Sequence, residues 1–270
     1  MKHLLFVTAL GVLSTATAFA NNAPAMRGEY GVITPPQSAN LAQNPIAGLP
    51  TPHAAISSVV HLPTVLIPQS TQNNGQQIDV TLIDDFIADV SPNARHYPPN
   101  FPNRTSLHYT RENIKHLSDW LEPYATAPNA SFEVLLRAAK INGMGRNLDL
   151  GSEYGVRASN HIAKALQLKP DHDEANFLYG MMLSEGGGFK EGKKYLDRAA
   201  AAGYLEAEQS LAQSDLLNDN RSAALQRLQR LQTQHPNNAQ ITEQINIVQN
   251  GGYYIWDIKD SDINIKPIQR

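Results

Sequence analysis

From Asn160 to Gln249 apolar residues recur at helical spacing, with short polar or glycine-containing breaks between the stripes. Upstream, Ile114, Leu117 and Leu121 share one helical face beside Trp120, with Thr110 as N-cap and Pro123 as the stop. A second helix is predicted from Ser131 through Leu135, Leu136 and Ala139 toward Ile141, closed by Gly143 and Gly145. A third carries Val156, Ile162, Ala165 and Leu168 and ends before Pro170. Residues 92–102 read as a proline-studded loop. Two β-branched runs, 61–67 and 78–83, flank a polar stretch with Asn74-Gly75 as turn signal, which suits a small hairpin over 59–83. Leu82, Ile83, Phe86, Ile87 and Val90 also follow helical spacing, so the second run reads equally as the start of a helix. The pattern predicts an all-α fold, a short helix–turn–helix solenoid behind a largely irregular N-terminal extension.

The spacing of small and large residues repeats. Asn176, Tyr179, Gly180 and Leu183 are followed by Gly192, Leu196 and Ala199; Leu211 and Ala212 are followed by Ala224, Leu228, Leu231 and Pro236. Ala158, Ile162, Ala165 and Pro170 match the second half of an earlier unit. Gly180 to Gly192 and Ala212 to Ala224 are both twelve residues apart, as are Ala158 to Pro170 and Ala224 to Pro236. Small residues at these offsets let paired helices approach while the large ones fill the layer between them. This pattern resembles the tetratricopeptide repeat, a 34-residue helix–turn–helix. The junction Ala199 to Ala207, around Gly203, is similar to the related Sel1-like repeats. The likeness covers about residues 131–250. It departs from the family at Asn176 and Glu208, where the pattern has Trp, and in a long first turn over 143–152. The unit between Pro170 and Pro236 is also short, since two repeats of the family would span about 68 residues. Ala239 to Gln249, with Ile241, Ile245 and Val248 inward, reads as the polar cap that a repeat stack needs.

Composition sets the compartment. Lys2 and His3 precede an apolar run over 4–13, and Ala18 and Ala20 supply small residues before Asn21, the layout of a cleaved signal peptide over 1–20. The chain has no cysteine, so neither a disulfide nor an N-terminal lipid anchor is available to it. No later apolar run has the length of a membrane span. The net charge of −3 is small and unblocked, which argues against nucleic acid as a partner. Together these predict a bacterial periplasmic protein. Residues 21–104 form a Pro/Asn/Gln-rich flexible extension, 105–250 the helical repeat domain, and 251–270 an apolar tail beginning at Tyr253.

Catalytic signatures are weak. His108, Glu112 and His116 are spaced four apart, but a helix beginning after Thr110 leaves His108 outside it. Asp84, Asp85 and Asp89 lack calcium-loop spacing and read as a solvated face. Ser152-Glu153 has no elbow glycines, and Gly186-Gly187-Gly188 lacks a following Lys-Ser/Thr. The sequence therefore predicts no catalytic residues, no metal and no cofactor. What the resemblance implies is a concave, peptide-binding groove formed by Glu174, Phe177, Met181 and Glu185, then Gln209, Gln213 and Leu216, with Phe177 and Met181 as anchors. The same two residues would serve equally as packing between units. The expectation is a non-enzymatic scaffold or adaptor for a protein or peptide partner. The alternatives are a structural oligomer using the apolar tail and a metal-dependent enzyme near His108 and His116. The tail could also fill the groove.

Overall fold

The computed structural model describes residues 64–72 and 75–257, which fall within one compact unit, Pro63–Pro267. The expected signal peptide over 1–20, residues 21–63 and the end of the tail lie outside the described residues. A two-stranded antiparallel sheet pairs β1 (Leu66–Pro68) with β2 (Gln77–Asp79), Ile67 opposite Ile78. Helix α1 (Thr81–Ala94) follows at once. Both readings of the second β-branched run hold, divided at Asp79. That side chain accepts from Thr81 N at 2.9 Å and from Thr81 Oγ1 at 2.5 Å, converting strand into helix within two residues.

Helix α1 also corrects the boundary of the irregular extension, because it docks on the repeat domain, and it shortens the loop expected over 92–102 to residues 95–103, because it runs through Pro92 to Ala94. Pro92 removes only the bond to the carbonyl of Ala88, and both residues face solvent, where water serves instead. α2 (Arg104–Ala125) starts earlier than Thr110: Asn103 is the cap, its Oδ1 accepting from Ser106 N at 2.8 Å. Thr110 is buried inside the helix, where its hydroxyl donates to the Ser106 carbonyl at 2.8 Å. Pro123 does not end α2 either; its freed carbonyl partner, Asp119, is likewise exposed.

Helix pairs then stack in sequence: α3 (Phe132–Asn147) with α4 (Ser152–Leu168), α5 (Asp173–Glu185) with α6 (Phe189–Ala201), and α7 (Leu205–Leu217) with α8 (Arg221–Gln234), closed by α9 (Ala239–Gln249). Among the described residues this makes nine helices in a short helix–turn–helix solenoid. Gly143 and Gly145 lie inside α3 rather than ending it, because they are contact points. A Cβ on Gly145 would come 2.5 Å from Tyr154 Cδ1 on α4. The turn they were expected to make is consequently short, Leu148 to Gly151.

The small-residue logic of the repeat holds in the packing. A Cβ on Gly180 would meet the Gly192 carbonyl and the Leu196 amide at 2.8 Å, so α5 and α6 touch backbone to backbone. Ala158, Ala165, Ala212, Ala224, Leu196 and Leu228 are fully buried. α4 buries a narrower stripe than its pattern suggests, since Val156 and Leu168 are exposed on this outer helix. Among the described residues these helices carry two apolar clusters, one from α3 to the start of α7 and one across α7–α9 that includes Ile255 and Trp256 of the tail.

Candidate functional site

The first helices of the pairs, α3, α5 and α7, form the inner face of the stack, and α1 lies against it at α3. Between α1, α3 and α5 is a pocket of about 410 Å³. Ile87 of α1, Met144 of α3, and Phe177, Leu178 and Met181 of α5 supply its apolar walls. Tyr204, just before α7, completes them and stacks on Phe177 with ring centroids 4.7 Å apart. Burial pushes the Tyr204 phenol far above its ordinary range, so the ring acts as a neutral wall.

The rim is charged and internally paired. Asp84 takes two bonds from Arg137, to Nε at 2.7 Å and to Nη2 at 2.8 Å, which corrects the reading of Asp84 as merely solvated. Burial alone would lower the Arg137 pKa, but Asp84 and Glu133 more than offset it and hold the guanidinium charged. Lys140 meets Glu174 at 2.5 Å, and Arg95 Nε lies 2.7 Å from Glu206 Oε1. With each acid facing a cation, the pocket is built to bury an apolar group under a polar rim.

Beyond it the inner face is closed. His96 is buried, with Nδ1 2.7 Å from Glu185 Oε1 and Nε2 2.8 Å from Glu206 Oε1. Tyr97 N donates to the other Glu185 oxygen at 3.1 Å. Burial pulls the imidazole pKa down, yet the two carboxylates outweigh it and the net shift is upward. Facing a carboxylate oxygen at each nitrogen, the ring is favoured in its imidazolium form, the one that donates at both. Its face stacks on Trp256, with centroids 3.7 Å apart and planes 10° off parallel.

The seven expected groove residues therefore divide among three environments. Glu174, Phe177 and Met181 line the pocket, although Phe177 is 3% and Met181 2% exposed. They are walls rather than projecting anchors, which corrects their expected role. Glu185 turns to His96 and Tyr97. Gln209 is 2% exposed and donates to Gln244 of α9 at 2.9 Å. Gln213 holds the tail through Tyr253 and Ile255, and Leu216 is core beneath α8 and α9. An open groove over α7 is excluded, because α9 and residues 253–256 cover it.

The helix boundary also changes the His108 region. With α2 starting at Arg104, His108, Glu112 and His116 do share one helical face. Glu112 is engaged by Lys115 at 2.7 Å, which together with the neighbouring histidines keeps its carboxyl below the ordinary range. Among the described residues, no three His, Asp or Glu side chains are grouped to hold a metal. No described helix is long and apolar enough to cross a membrane.

Sequence reasoning missed His96, Arg95 and Tyr204, and it gave Asp84 to solvent. Each is brought to the inner face from another element, and only the Asp84, Phe86 and Ile87 region carried a signal, its helical spacing. No protein-family model matches the chain, and no curated protein or solved structure matches it either.

Proposed function

We propose that this protein is an exported, tetratricopeptide-like adaptor, non-enzymatic, that binds a protein or peptide partner on the inner face of its helix pairs. The partner's apolar anchor side chain enters the pocket between α1, α3 and α5, and its polar flanks meet Asp84, Arg137, Lys140 and Glu174. The observation that carries this reading is the pocket itself: about 410 Å³, apolar walls and paired charges at the mouth. That volume takes a large aromatic or aliphatic side chain with part of its backbone. The twelve-residue offsets support the repeat assignment, and the tripartite layout of residues 1–20 supports export to a periplasm.

The test fills the pocket from an exposed lining position and leaves its buried apolar walls unchanged. Ala88 is exposed on α1 at the mouth, so Ala88→Trp should leave helicity and melting temperature unchanged. Affinity chromatography of a periplasmic extract should then recover the partner on the wild-type chain and lose it on the variant. Undiminished recovery on Ala88→Trp would discard the pocket as the anchor site.

A further inference from the structure

The α7 end of the inner face already holds a peptide. Gln213 on α7 uses both ends of its amide on the tail: Nε2 donates to the Tyr253 carbonyl at 2.8 Å and Oε1 accepts from Ile255 N at 2.9 Å. This fork grips the backbone on either side of residue 254 and leaves the side chains to supply selectivity. Ile255 is fully buried in the α7–α9 cluster, and the Trp256 ring lies on His96. The Tyr254 hydroxyl donates to the Pro98 carbonyl at 2.6 Å. The segment enters over Gly251, which takes φ +89°, a turn suited to glycine.

We infer that the seat of residues 253–256 is a second peptide-binding surface, closed in cis by the protein's own tail. A partner segment carrying an aliphatic–tryptophan pair takes the tail's place. One general argument and one observation favour a foreign segment over a second copy. Exchange of tails between two copies remakes the same contacts and gains nothing new. A foreign segment gains more, because Tyr97 and Leu217 stand exposed beside the seat, Leu217 lining the same small cavity as Trp256. The inference does not depend on the pocket described above, which shares only Met181 with that cavity.

The probe is a fluorescent synthetic peptide, Gly-Gly-Tyr-Tyr-Ile-Trp-Asp, titrated by anisotropy into the full chain. The cis tail competes at an effective concentration on the order of 1 mM, so the wild type should bind the probe weakly. Trp256→Ala, which loosens the tail, should bind it at least about tenfold more tightly. Adding Gln213→Ala should abolish the gain, a probe with Ala for Trp should fail, and Ala88→Trp should leave binding unchanged. Absence of binding to Trp256→Ala with native helical circular dichroism overturns the inference. So do equal binding with Gln213→Ala, loss of binding with Ala88→Trp, or dimerisation of the chain without probe binding. Should Trp256→Ala lose its helicity, Tyr254→Phe replaces it. That change removes one hydrogen bond and should tighten probe binding a few-fold; no gain there overturns the inference equally.

Discussion

Gly180 is a residue at which the repeat has no room for a side chain. A methyl there meets two backbone atoms of α6, which cannot move aside without parting the helices. Alanine is favoured over glycine in a helix by about 1 kcal/mol, but overpacking at a backbone contact costs about 1–3 kcal/mol. Gly180→Ala should therefore destabilise, with a lower midpoint and unchanged slope in urea. His96 gives a second expectation. Its folded pKa is raised above the ordinary 6.5, so its contribution is complete below about pH 6.5 and is lost as pH rises through the folded value. The groups facing it are Glu185 of α5 and Glu206 of α7, with Arg95 beside Glu206 and Arg146 near Glu185 at 3.7 Å. The melting temperature should fall as pH rises above about 6.5, and His96→Gln should flatten that part of the profile. Gly180 was legible as a small residue at a repeat offset. His96 was not, because its two carboxylates arrive from helices far along the chain.

At the scale of elements, α2 separates two ideas of where a helix begins. Asn103→Ala removes the bond to Ser106 N and should cost about 1 kcal/mol in thermal or urea unfolding. Thr110→Val keeps the shape, loses only the internal bond to the Ser106 carbonyl, and should cost less. The opposite order would restore Thr110 as the cap. The sequence pattern put the cap at Thr110, because residues 104–109 carry few apolar side chains to extend the stripe upstream. Pro92 and Pro123 misled for a related reason: a proline within a helix is costly when the freed carbonyl is buried, and here each faces water. The hairpin-or-helix ambiguity at 78–83 resolved as both, through the bonds of the Asp79 side chain to Thr81.

For the whole molecule, the tail works as a clasp across the α7–α9 layer. Arg221 donates to the carbonyls of Val248 and Gly252 at 2.6 and 2.9 Å and lies over the Tyr253 ring, tying α8 to the end of α9. Truncation after Gly252 removes Ile255 and Trp256 from the core and leaves the buried Gln213 amide without either tail partner. The loss should reach about 3–5 kcal/mol, a large share of an ordinary domain's stability. Hydrogen exchange should show it first in α7–α9, with α3–α6 protected for longer, since the stack is held by neighbour contacts. Uniform loss across all helices would mean that the units do not behave as a stack.

What the sequence determined by itself was the stack: helix pairs, their twelve-residue offsets, the small residues at their crossings and the closing helix. These depend on contacts between neighbouring segments, and such contacts leave a periodic trace in the chain. What only the tertiary structure decided was which inner-face residues meet solvent. Phe177 and Met181 became pocket walls because α1 folds back over α3, and Gln213 became a clamp because residues 253–256 return to α7. Neither return has a local periodic signal, since each is fixed by side-chain complementarity between segments far apart in the chain.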